Sequence, residues 1–105
     1  MSGKAMGKAL QRTEIIKILR DYNRHSGQHY SIKRIGIFGS VAREQSHEAS
    51  DIDVVVELGD QDLFILIGIK QDLEEQLEIP VDIVSYRKRM NQFLKDRIDK
   101  EAVYV

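Results

Sequence analysis

Three aspartates stand where strand-like sequence can carry them toward one point. Asp51 and Asp53 flank a single isoleucine at the head of the apolar run 52–58. Alternate side chains of a strand leave the same face, so these two carboxylates project together, ~7 Å apart along the backbone. Asp82 lies inside a second apolar run, Val81-Asp82-Ile83-Val84. A charge buried there without a partner is costly, so it calls for a cation or a hydrogen-bond donor. If the two runs are neighbouring strands, the three acids share one site. At ~6 Å they repel by about 3 kcal/mol per pair at an effective dielectric near 20. A divalent cation relieves that repulsion, and carboxylates sharing ions ~3.5–4 Å apart suit phosphoryl chemistry. Magnesium fits, because it takes hard oxygen ligands and completes its shell with phosphates and water. Each acid alone has a plainer explanation: Asp51 and Asp53 as turn formers or caps, Asp82 as a satisfied structural aspartate. Together they favour a shared ligand.

Gly39-Ser40 lies between an apolar run and a segment with helical character. Glycine lets a backbone approach a phosphate closely, and the opening of a helix offers unpaired N–H groups to an anion. Ser40 adds a hydroxyl donor, and Arg43 can reach a phosphate with a forked guanidinium. The lysine and the glycine frame of a P-loop are missing.

The elements that must position these residues follow from periodicity. Ile15, Ile18, Leu19 and Tyr22 predict a first helix to about Arg24, with Thr13 as N-cap. Residues 34–38 predict a buried strand, residues 39–44 a turn opening a short helix, and residues 52–58 a second strand with a β-branched centre. Residues 62–78 predict a long helix with Leu63, Leu66, Ile67, Leu73 and Leu77 on one face, ended by Pro80. Phe64, Ile65 and Ile69 fall partly outside that stripe and read either as a wide core face or as a contact patch. A third strand, 81–86, is followed by a last helix from about Lys88 to Ile98, and 102–105 can add an edge strand. The order predicts an α/β (α+β) domain with helices covering a sheet. Residues 1–12 read as a flexible N-terminal stretch, leaving 13–105 as a single domain.

Gly39-Ser40-Val41-Ala42-Arg43, six residues, then Ser50-Asp51-Ile52-Asp53 resembles the signature of the polymerase-β-like nucleotidyltransferase superfamily. That signature is Gly-Ser, ten residues, Asp-x-Asp, and the spacing here matches. Ala42-Arg43 and Ser50 look like its minimal branch, the MNT proteins, and the likeness runs from about Lys33 to Ser85. The resemblance implies the nucleotidyltransferase fold, a small mixed sheet flanked by helices. It implies a triphosphate on Gly39, Ser40 and Arg43, magnesium held by Asp51 and Asp53, and Asp82 as third carboxylate beside the attacking hydroxyl. It also implies a partner: many MNT relatives act as antitoxins to HEPN-domain proteins, some by moving AMP from ATP onto a tyrosine of that toxin. Two alternatives stay open, a catalytically idle module that neutralises its partner by contact, and transfer to a small-molecule hydroxyl.

Composition bounds these readings. The chain has 105 residues, enough for one core, and a formal net charge of −1, which gives no reason to expect an extended nucleic-acid footprint. It contains no cysteine, which excludes disulfides and thiolate metal sites and fits a cytoplasmic location. Its apolar runs are too short to span a bilayer. Arg87-Lys88-Arg89 reads as a solvated basic turn or as a contact for triphosphate or an acidic partner. His25, His29 and His47 lack metal-ligand spacing, and Tyr86 and Tyr104 read as packing residues. Homo-oligomerisation stays possible, since no segment of the chain is left over to select an acceptor.

Overall fold

A computed structural model describes residues 11–42, 51–60 and 62–105, the side chains of Ser40 and Val41 excepted. Along the chain run α1 (Arg12–Ser26), β1 (Ile32–Phe38), α2 (Gly39–Ala42), β2 (Ile52–Leu58), α3 (Leu63–Leu77), β3 (Val81–Ser85), α4 (Gln92–Glu101) and β4 (Val103–Tyr104). The strands form one mixed sheet in the order β3-β2-β1-β4. β1 lies antiparallel to both β2 and β4, while β2 and β3 are parallel. A parallel pair needs a crossover, and α3 provides it.

One sheet face carries the main core. Ile35, Ile37, Val54, Val56 and Leu58 pack against Ile15, Leu19 and Tyr22 of α1 and Ile69, Leu73 and Leu77 of α3, all buried. Each such side chain contributes roughly 1.5–3 kcal/mol by leaving water. The two helices are also tied to each other, because the Tyr22 hydroxyl donates to Asp72 at 2.8 Å. Burial and then that bond hold the phenol far above its ordinary range. The opposite face has a smaller cluster of Phe38, Val55 and Ile98, with Val84, Tyr86, Leu94 and Tyr104 packed against it.

Several expected boundaries move, each for a local reason. α1 starts at Arg12 rather than after Thr13, since the Gln11 N–H donates to Glu14 Oε1 and caps the helix. β1 begins at Ile32, where Ser31 takes a positive φ of 57° and releases the chain from the preceding turn. α3 stops at Leu77, ahead of Pro80, because Glu78 adopts the left-handed conformation that closes a helix. Its inward face is Ile69, Leu73 and Leu77, with Ile65 and Leu66 half-buried, whereas Leu63 and Ile67 face solvent beside Phe64. The last helix starts at Gln92 and not at Lys88: Asn91 caps it, accepting from the Leu94 N–H. Residues 87–89 therefore lie in the connection before α4.

Candidate active site

The register of β2 and β3 decides the arrangement. Asp53 sits directly beside Asp82 on the parallel neighbour, and Phe38, the last residue of β1, pairs with Asp53 on its other side. Asp53 is two residues from Val55, and Asp82 two from Val84, both in the smaller cluster. Strand alternation therefore puts both carboxylates on the α4 face. Asp51 precedes the strand by one residue and follows the same alternation. The neighbouring strands and shared face are as the sequence predicts. The burial is not: Asp82 is exposed, as is Asp51, and Asp53 is half-buried. Asp82 needs no buried partner, because β3 is the edge of the sheet and this side chain stands in solvent.

Gly39 closes the site on the β1 side. Its φ is +74°, and a Cβ built there would strike the Asp53 carboxylate. Only glycine combines that backbone with that approach. The Gly39 N–H donates to Glu101 Oε1 at 3.2 Å, which brings the end of α4 onto the turn. Arg97, one helical turn earlier, lies 4.0 Å from the same oxygen, and its guanidinium stands 5.7 Å from the Phe38 ring centre. Sequence reading missed Arg97 and Glu101. An i,i+4 Arg–Glu pair on a polar helix looks like an ordinary solvent pair, and the contact with Gly39 spans 62 positions. Arg43 and the Ser40 side chain, both expected to hold phosphates, lie outside the described residues.

Farther along the same face, Arg34 is stacked between two tyrosines, 4.3 Å from the Tyr104 ring centre and 5.1 Å from that of Tyr86. It pairs across the strands with Glu57 at 2.8 Å. Burial is the largest single influence and opposes its charge, but the Glu57 bond together with the charges of Glu57, Tyr104 and Tyr86 outweighs it and the guanidinium is held above its ordinary value. Tyr86 donates to Asp99, and that bond raises its phenol, while burial raises Tyr104. Neither phenol is primed as a nucleophile, in keeping with a packing role.

The donor set suits a hard divalent cation held incompletely by protein. Among the described residues no three acidic or histidine side chains stand close enough to enclose a metal by themselves. Half-buried Asp53 beside exposed Asp82, with Asp51 exposed at the head of the same strand, would leave positions for water and phosphate oxygens, which is how magnesium is usually bound.

Residues 13–105 match the family model described as polymerase beta, nucleotidyltransferase. The chain belongs to the nucleotidyltransferase family. It is 46% identical over 77 residues to a candidate protein adenylyltransferase of Methanocaldococcus jannaschii, covering 72% of this chain and 82% of that protein. A candidate minimal nucleotidyltransferase of known structure superposes with a TM-score of 0.75 at 30% identity, over 92% of this chain and 98% of the other. An MNT antitoxin complex with a tri-AMPylated Shewanella oneidensis HEPN toxin gives a TM-score of 0.57 at 26% identity, over 89% of this chain and 66% of the matched chain. The nucleotidyltransferase fold read from the Gly-Ser and Asp-x-Asp spacing is thus the fold found, with Gly39 opening α2 and Asp53 on β2. No described helix is long and apolar enough to cross a membrane.

Proposed function

We propose that this nucleotidyltransferase moves the adenylyl group of ATP onto a tyrosine hydroxyl of a HEPN-domain toxin and so acts as its antitoxin in the cytoplasm. The observation that carries the reading is the Asp53–Asp82 register beside Gly39, with Asp51 on the same face. The adenylyltransferase relative and the AMPylated toxin bound to an MNT antitoxin support the choice of AMP and of a protein acceptor. Asp51, Asp53 and Asp82 would hold magnesium, which when bound neutralises phosphate charge. Gly39, Ser40 and Arg43 would seat the β- and γ-phosphates.

In the proposed step the acceptor oxygen attacks the α-phosphorus in line with the bond to the bridging oxygen. The new O–P bond forms as that bond breaks, and pyrophosphate leaves with the electron pair. Asp82, exposed at the sheet edge, orients the incoming hydroxyl and takes its proton. Tyr86 and Tyr104 are engaged within the fold, so the acceptor comes from outside it.

The decisive experiment co-expresses the chain with its HEPN-domain partner and weighs the partner by mass spectrometry. Wild type should add AMP. Asp51→Asn with Asp53→Asn should lower transfer by about a thousandfold or more, the scale at which lost electrostatic stabilisation is felt. The melting temperature should hold, since neither side chain belongs to the core. Undiminished labelling by the double variant would refute the site.

A further inference from the structure

A concave feature lies along β3 past Asp82. A groove of about 440 Å³ lies between the first turns of α3 and α4. Leu58, Leu63, Leu66, Met90 and Leu94 line it, and Arg87 stands on its rim. Ile83, Val84 and Ser85 of β3 also line it, so the groove begins next to Asp82 and runs away from the carboxylates to Leu58, which ends β2 ~16 Å beyond Asp53. None of the three aspartates lines it, but it adjoins the proposed catalytic site at Asp82.

Apolar surface continues outward from the groove. Leu63 is 67% exposed, Phe64 83% and Phe93 85%. Single exposed apolar residues are unremarkable, but a cluster around a concavity marks a contact surface. The charge beside it is equally uneven. Arg87, Lys88 and Arg89 are consecutive and exposed, and none makes an ion pair among the described residues, in a chain whose net charge is −1. The opposite rim holds Asp62, whose carboxylate accepts from the Phe64 N–H as the cap of α3. One rim is thus basic and unpaired, the other a capped acid.

We infer that this groove docks a protein partner through an apolar segment bordered on one side by carboxylates, which face Arg87, Lys88 and Arg89. The inference rests on the proposed function only in taking the partner to be a protein. A lined hollow with exposed apolar side chains on its margin suits a row of protein side chains, and the basic rim sets the charge that flanks that row. Docking in a groove that begins beside Asp82 would let a partner be held while the adjoining part of it reaches the acids.

The test pans a phage-displayed library of random 16-residue peptides against the full chain. Enriched clones should combine an apolar row with Asp or Glu. Leu63→Glu and Arg87→Glu should each weaken them at least tenfold, and both side chains are exposed enough for folding to survive, which circular dichroism checks. Asp51→Asn with Asp53→Asn should leave peptide binding unchanged, so a failure of the groove is told apart from a failure of the chemistry. Four outcomes overturn the proposal: enriched clones that are basic or lack charge, binding indifferent to both groove variants, recruitment to phosphatidylserine vesicles lost in Leu63→Glu, or a homodimer dissolved by the same change.

Discussion

The two faces of this sheet are built for different ends. Under α1 and α3 lies a dry face of aliphatic side chains and one buried tyrosine, Tyr22, whose hydroxyl is bonded to Asp72. Under α4 the apolar cluster is small, and around it stand Arg34, Glu57 and two tyrosines on one side and the aspartates on the other. Stability concentrates where no chemistry is needed, and the charged groups sit where water and substrate can enter. The contrast also explains the exposure of Asp82: an edge strand on the thinner face can carry a carboxylate at little cost.

That contrast can be broken first through the core. Leu73→Ala removes a side chain with no exposed surface from the α3 face and should cost about 2–5 kcal/mol, a fall in melting temperature of 10 °C or more. The same truncation at half-buried Leu94, under α4, should cost roughly half as much. Equal losses would mean that the two faces share the load. Gly39→Ala comes next. It forces a methyl group against Asp53 in a left-handed backbone, at about 1–2 kcal/mol by thermal unfolding. Nucleotidyl transfer should fall by more than that loss of stability explains, because the displaced carboxylate belongs to the proposed site. The smallest effect concerns acid. Glu74 receives the Val81 N–H at 2.8 Å and the Lys70 ammonium at 3.0 Å, and these hold its carboxyl below the ordinary 4.5. A depressed folded pKa gives stability that is present above the unfolded value and lost as pH falls through the folded one. The melting temperature of Glu74→Gln should therefore lie below wild type at neutral pH and converge with it in acid, once pH has fallen through the depressed folded value.

Much of this was legible in the residues. The bounds of β2 are those its β-branched run predicts, and the Asp-x-Asp spacing placed two acids on one face because strand alternation is a local rule. Asp82 followed once β3 was recognised, although its exposure depended on β3 being an edge, and strand order is not written locally. The α3 stripe misled because that helix is apolar nearly all round at its start, so periodicity could not tell the buried Ile69 from the exposed Leu63. The start of α4 misled because the basic triplet looks helical, whereas the Arg87 N–H turns back to the Met90 sulfur and Asn91 supplies the cap. The Glu101–Gly39 contact joins the last helix to the turn after β1 and leaves no local trace.

The pairing of Asp53 with Asp82 makes the site a matter of counting. β3 is delivered by a three-residue connection after α3, Glu78-Ile79-Pro80, and the Val81 N–H is pinned to Glu74 of the helix itself. One residue inserted there would turn β3 over, sending Asp82 into the aliphatic face and Val81 out to water. Spacing in this short link is thus under tighter constraint than the identity of its residues, and relatives that keep the acids should vary its sequence sooner than its length.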